Sequence, residues 1–128
     1  MNQINHITVF VAAIAGFMAG ALWYSPLLFL KSWLKEAGLE KMDGHGSSVY
    51  ISSFFFALVA SYLFAAYAPI HSLQSSLLSG VVVGAGWVLT SMGVNYQFSG
   101  KSIKLWLIDG GYHVFKFLIF ALIFGLWK

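Results

Sequence analysis

Four stretches of this chain stay apolar for long enough to cross a lipid bilayer: Ile7–Phe29, Val49–Ile70, Ser76–Phe98 and Leu105–Trp127. Each runs for about 22–23 residues, and about 20 helical residues span a hydrocarbon core of roughly 30 Å. A backbone in hydrocarbon must satisfy its own hydrogen bonds, so each stretch reads as a helix. Composition agrees: 59% of the 128 residues are hydrophobic and only 9% are charged. A soluble domain carries about 25% charged residues. The expected fold is an all-α membrane protein, a four-helix bundle forming a single domain over residues 1–128. No room remains for a separate soluble domain.

The first stretch reads as a span and not as a cleaved leader. No Lys or Arg precedes it, and no small-x-small cleavage site lies before Trp23. Cysteine is absent, which excludes disulfides, thiolate metal sites and cysteine nucleophiles. The net charge of +3 is small and scattered, so nucleic acid is not an expected partner. Lysine placement reads instead as topology. Lys31, Lys35 and Lys41 follow the first span, Lys101 and Lys104 follow the third, and only Lys128 lies on the opposite side. The positive-inside rule puts those two segments in the cytoplasm and both termini outside.

The last stretch is unusual. Asp109, Tyr112, His113 and Lys116 sit at spacings of three and four, which gathers them on one helical face. Lys116 lies at mid-span, where a charge costs roughly 3 kcal/mol on the lenient insertion scale. Asp109 is shallower, about 5 Å from the lysine-bearing end, in the same layer as Asn95, Ser52, Ser53, Tyr24 and Ser25. Lys116 is level with Trp87 and Ser61, and a cation–π contact between Lys116 and Trp87 is expected. Asp109 and Lys116 are about 10.5 Å apart along the axis, too far to pair directly. Asp109 reaches His113 and Tyr112 reaches Lys116 at i,i+4, which makes a ladder of titratable groups.

A short motif recurs half a chain apart. Gly16-x-x-x-Gly20-Ala21-x-Trp23 returns as Gly80-x-x-x-Gly84-Ala85-x-Trp87. It fits two repeated helical hairpins, or equally two independent packing faces, since small residues four apart let helices approach closely. After the first span, Pro26 predicts a kink or an exit. Trp23 and Tyr24 suit the interface. Lys31–Met42 reads as a short interfacial helix, with Trp33 and Leu34 entering the headgroup layer. Residues 43–48 read as a loop in which Ser47 or Ser48 caps the second span. That span is rich in Phe and Tyr and is expected to face lipid over much of its surface.

The run from Trp23 through Ser25, Pro26 and Phe29, with Trp33, is one of two telling blocks. The other is Asn95-Tyr96-x-Phe98 followed by Leu105-Trp106-Leu107-Ile108-Asp109-x-Gly111-Tyr112-His113. Together they resemble a family of small bacterial membrane proteins known as domain of unknown function 1761. The resemblance implies a four-span protein of the bacterial inner membrane and brings no established activity. The family usually has glycine where this chain has Leu30, and Lys116 is not part of the resemblance.

No GxSxG, HExxH or paired-carboxylate pattern is present, so an enzyme is not expected. Asp109 and His113 lack a strong third ligand at their depth, so neither metal nor cofactor is expected. Two readings remain. In the first, a small transporter or channel-like protein passes an ion or solute through the layer of Asn95, Asp109, Tyr112, His113 and Lys116, supported by Trp87, Ser53 and Tyr24. In the second, a scaffold or accessory subunit uses the same side chains to hold its helices together. Lipid surrounds either, and a bundle this small would need a homo-oligomer to enclose a pathway. A reporter fused after Lys128 is expected to signal from outside the cytoplasm; a cytoplasmic signal inverts the topology.

Overall fold

The structure is a computed structural model that describes residues 1–40 and 46–127. Helix α1, His6–Trp23, starts where the Asn5 side chain accepts from the backbone N–H groups of Ile7 and Thr8. It exits ahead of Pro26, six residues short of the expected Phe29, as the chain turns with Phe29 N–H donating to the Trp23 carbonyl. Helix α2, Leu30–Ala37, is the expected interfacial helix. Gly38 ends it at φ +74, a left-handed conformation suited to glycine. The expected continuation through Lys41 and Met42, and His45 beyond it, lie outside the described residues.

Helix α3, Ser47–Tyr67, begins without a side-chain cap; Gly46 takes the cap position and Ser47 is already helical. The expected serine cap is therefore not made. Its outward face, with Tyr50, Phe55, Phe56, Tyr62 and Tyr67, is exposed as expected for lipid contact. The third span, Leu73–Phe98, is continuous but not uniform. It comprises α4, Leu73–Val81, a π-helical segment, Val82–Leu89, and α5, Thr90–Phe98. Ser72 and Ser75 cap its start reciprocally. Helix α6, Ile103–Leu126, is capped by Ser102, whose hydroxyl accepts from Leu105 N–H. Four helices are long and apolar enough to span, so this is a multi-pass membrane protein.

Helix α6 is the common wall of the bundle, packed along α1 on one side and the third span on the other. Both glycine motifs face it. A Cβ on Gly16 would meet the Phe120 ring and the stem of Lys116, and one on Gly20 would meet the Tyr112 ring. On the other side, a Cβ on Gly80 would lie 2.9 Å from the Phe117 carbonyl oxygen. One on Gly84 would lie 2.9 Å from Val114 Cα. The α1 glycines thus admit side chains, while those of the third span admit the α6 backbone itself.

The two halves are not equivalent beyond that shared motif. Helix α3 packs on α1, and its Phe64 stacks among Phe117, Phe120 and Phe124 of α6. Between α3 and the third span lies instead an apolar cleft of about 620 Å³, lined by Leu63, Tyr67, Leu78, Val82 and Trp87 among others. Symmetric hairpins would close that gap as α1 closes on α6. Buried serines join the helices where they do meet: Ser61 Oγ donates to the Val9 carbonyl at 3.0 Å and Ser76 Oγ to that of Ala121 at 2.6 Å.

The π-helical segment resets which residues of the third span face α6. At about 100° per residue, Asn95 would return to within about 20° of the Gly84 face, with Tyr96 about 120° away. A π-helix turns only about 82° per residue, and between Gly84 and Leu89 that lag brings Tyr96 to within about 30° of the face and carries Asn95 about 70° off it. The looser turn leaves carbonyls to be satisfied. Thr90 Oγ1 donates to Gly86 O at 2.7 Å and Trp87 O at 3.1 Å, and Trp106 Nε1 of α6 donates to Leu89 O at 2.9 Å.

Gly84→Ala is expected to push two backbones apart and cost about 1–3 kcal/mol, as overpacking does. A Cβ on Gly86 would have only a Val82 methyl at 4.0 Å, so Gly86→Ala is expected to be close to neutral. Thermal unfolding of the two variants in detergent checks the contrast.

Candidate functional site

Asp109 stands near the lysine-bearing end of α6 and accepts three hydrogen bonds from three separate elements. Tyr24, just past α1, donates its hydroxyl to Oδ1 at 2.6 Å. Trp33 of α2 donates its indole N–H to the same oxygen at 3.0 Å. Tyr96 of α5 donates its hydroxyl to Oδ2. All three donors are neutral, and among the described residues no cation pairs with Asp109. Burial first, and then the bond to Asp109, push the Tyr24 hydroxyl well above the ordinary tyrosine range, so it remains a donor.

These bonds follow from local structure. The exit of α1 before Pro26 turns Tyr24 toward α6 and folds α2 back across its start, and Ser102 Oγ lies 3.2 Å from Glu36 Oε2 of α2 as a further tie. Trp23 Nε1 donates to the Ile108 carbonyl at 2.9 Å, which sets α1 against the turn that carries Asp109. A Cβ on Gly111 would lie 3.0 Å from the Trp23 ring, so glycine leaves room for that indole.

A second cluster lies one to two turns deeper. Lys116, only 9% exposed, places Nζ 3.2 Å from His113 Nδ1, 5.7 Å from the centre of the Tyr112 ring and 4.9 Å from that of Phe117. Its stem lies beside Gly16, and Tyr112 donates its hydroxyl to the Gly16 carbonyl at 3.0 Å. The α1 glycines therefore accommodate the polar face of α6. An edge contact of Tyr24 with Tyr112, 5.8 Å between ring centres, joins the two clusters. Aromatic faces and an imidazole take the role a carboxylate would have for this amine.

Several expected members of the site lie elsewhere. Asn95 is exposed, and Tyr96 takes its place because of the π-helical lag. Trp87 is 66% exposed and lines the α3-side cleft, so the expected contact with Lys116 is made by Tyr112 and Phe117 instead. Ser53 is exposed on α3. The expected Asp109–His113 rung is replaced by the His113–Lys116 contact. Tyr24 is where the sequence placed it. Trp33 is expected in the headgroup layer and Tyr96 within the second telling block; the amphipathic tip of each is what signals a second role.

A family described as protein of unknown function (DUF1761) matches residues 7–125, nearly the whole chain. The chain belongs to that family. Both sequence blocks of the resemblance fall inside the match, and they meet in space: Tyr24 and Trp33 of the first bond Asp109 of the second. No curated protein and no solved structure matches the chain.

Asp109→Ala would leave three donors without their acceptor and is expected to cost about 3 kcal/mol, with Tyr96→Phe costing about 1 kcal/mol. Limited proteolysis at Lys31 and Lys35 checks the geometry: cleavage is expected to quicken in Asp109→Ala as α2 is released.

Proposed function

We propose that this protein is a non-catalytic membrane scaffold or accessory subunit, in which Asp109 locks an interfacial helix against a transmembrane bundle. The observation that carries this reading is that both carboxylate oxygens are engaged by Tyr24, Trp33 and Tyr96, neutral donors drawn from three elements. A carboxylate serving a relay exchanges its partners with water or with a passing cation. Asp109 instead has both oxygens bonded to side chains of other elements. The cleft between α3 and the third span is apolar, as suits lipid or protein rather than a hydrated ion. In this reading α2 is held parallel to the surface, with Lys31 and Lys35 exposed to anionic lipid. The bundle sits in the bacterial inner membrane with both termini outside, surrounded by lipid and assembled as a homo-oligomer.

A second reading, movement of a small ion or solute, draws on the His113–Lys116 contact at mid-span. Ionisable groups at that depth often mark transport routes. Flux assays in proteoliposomes separate the two. The scaffold reading expects no ion-dependent flux from the wild type, and Asp109→Asn should lower the unfolding temperature alone. An ion-dependent flux that Asp109→Asn abolishes establishes the transport reading in its place.

A further inference from the structure

At the end of the bundle away from α2, the first residues of the chain cross the end of α3. Asn2 Nδ2 donates to the carbonyls of Ala65 at 3.0 Å and Ala68 at 2.7 Å, and its backbone N–H donates to Ala66 at 2.7 Å. Those bonds satisfy carbonyls that the helix end leaves open and tie the segment down as a strap. Beside the strap, between α1, α3 and the end of α6, lies a cleft of about 180 Å³. Gln3, Asn5 and Thr8 supply its polar lining, and Ile70, Phe124 and Trp127 its apolar lining.

Thr8 is the telling residue. It is 2% exposed, and its hydroxyl has no hydrogen-bond partner among the described residues. Buried hydroxyls nearly always have a partner, and a threonine on a helix can bond back to the preceding turn. This one lines the cleft unpaired. Asn5 has its oxygen engaged in capping α1, which leaves its amide N–H₂ to donate elsewhere. None of the described lining side chains carries a charge, so the lining favours neither a cation nor an anion.

Hydroxyl and amide groups set against Ile70, Phe124 and Trp127 match a small uncharged molecule with adjacent hydroxyls on a carbon skeleton. Depth narrows the source. Thr8 lies in the first turn of α1 and Phe124 in the last turn of α6, at the level of lipid headgroups, where Trp127 also belongs. We propose that this cleft binds the uncharged glycerol hydroxyls of an interfacial lipid or of free glycerol.

The test uses full-length protein in detergent, with native mass spectrometry counting bound 1-monooleoylglycerol. Methyl oleate, which has the same chain without the hydroxyls, is the control. One monooleoylglycerol is expected per chain, at least tenfold tighter than methyl oleate. Thr8→Val keeps the shape and removes the hydroxyl; Gln3→Ala alters only the exposed strap. Each is expected to weaken binding at least fivefold while circular dichroism stays unchanged. Displacement by free glycerol supports the proposal with the hydroxyl head sufficient; resistance to displacement supports it with the lipid as source. Absent binding, equal affinity for methyl oleate, or wild-type affinity in both variants overturns it.

Discussion

The bundle depends on how closely two helices can approach α6. In lipid the apolar driving force between helices is weak, and association rests on van der Waals contact and on hydrogen bonds. Gly80 and Gly84 bring the third span against the backbone of α6, while Gly16 and Gly20 open α1 to its side chains. The same short motif thus serves two purposes. One copy shortens a backbone crossing, and the other makes room for Tyr112 and Lys116, which could not be buried beside larger residues.

That difference decides how the polar face of α6 is stabilised. A carboxylate and an amine on one helix, two turns apart, cannot neutralise each other, and each needs its own surroundings. Asp109 obtains three neutral donors, and Lys116 obtains an imidazole and two aromatic faces. Both solutions draw on aromatic side chains, whose apolar bodies suit the membrane while their tips supply hydrogen bonds. The abundance of Trp and Tyr in the chain is therefore part of its electrostatics as much as of its interface belts.

Depth was legible in the sequence and direction was not. Counting residues from the span ends puts Asp109 in one layer with Tyr24 and Asn95; Tyr24 bonds Asp109 there, and so does Tyr96, the residue after Asn95. Which of Asn95 and Tyr96 turns inward depends on a π-helical segment that no residue pattern in Val82–Leu89 announces. The same lag takes Trp87 out to the α3-side cleft. Ser53 fails for a related reason: α3 turns another face to the bundle, and Ser61 is the serine of α3 that bonds α1 among the described residues. Trp33 was hidden because the path of α2 back over α6 is set by the turn after Pro26, beyond the reach of helical periodicity.

Taken alone, the amino-acid sequence determined that this chain crosses the membrane four times, where each crossing begins and ends to within three residues except for the early exit of α1 before Pro26, and that α6 carries the costly groups. Those properties follow from hydropathy, length and a fixed rise per residue, which are local and additive. The tertiary structure decided the partners: Tyr96 for Asn95, Trp33 on Asp109, Phe117 and Tyr112 in place of Trp87 around Lys116, and Thr8 without a partner among the described residues beside the strap of Asn2. Partners depend on helix rotation, and about 90° lost along one π-helical segment is enough to exchange one neighbour for the next.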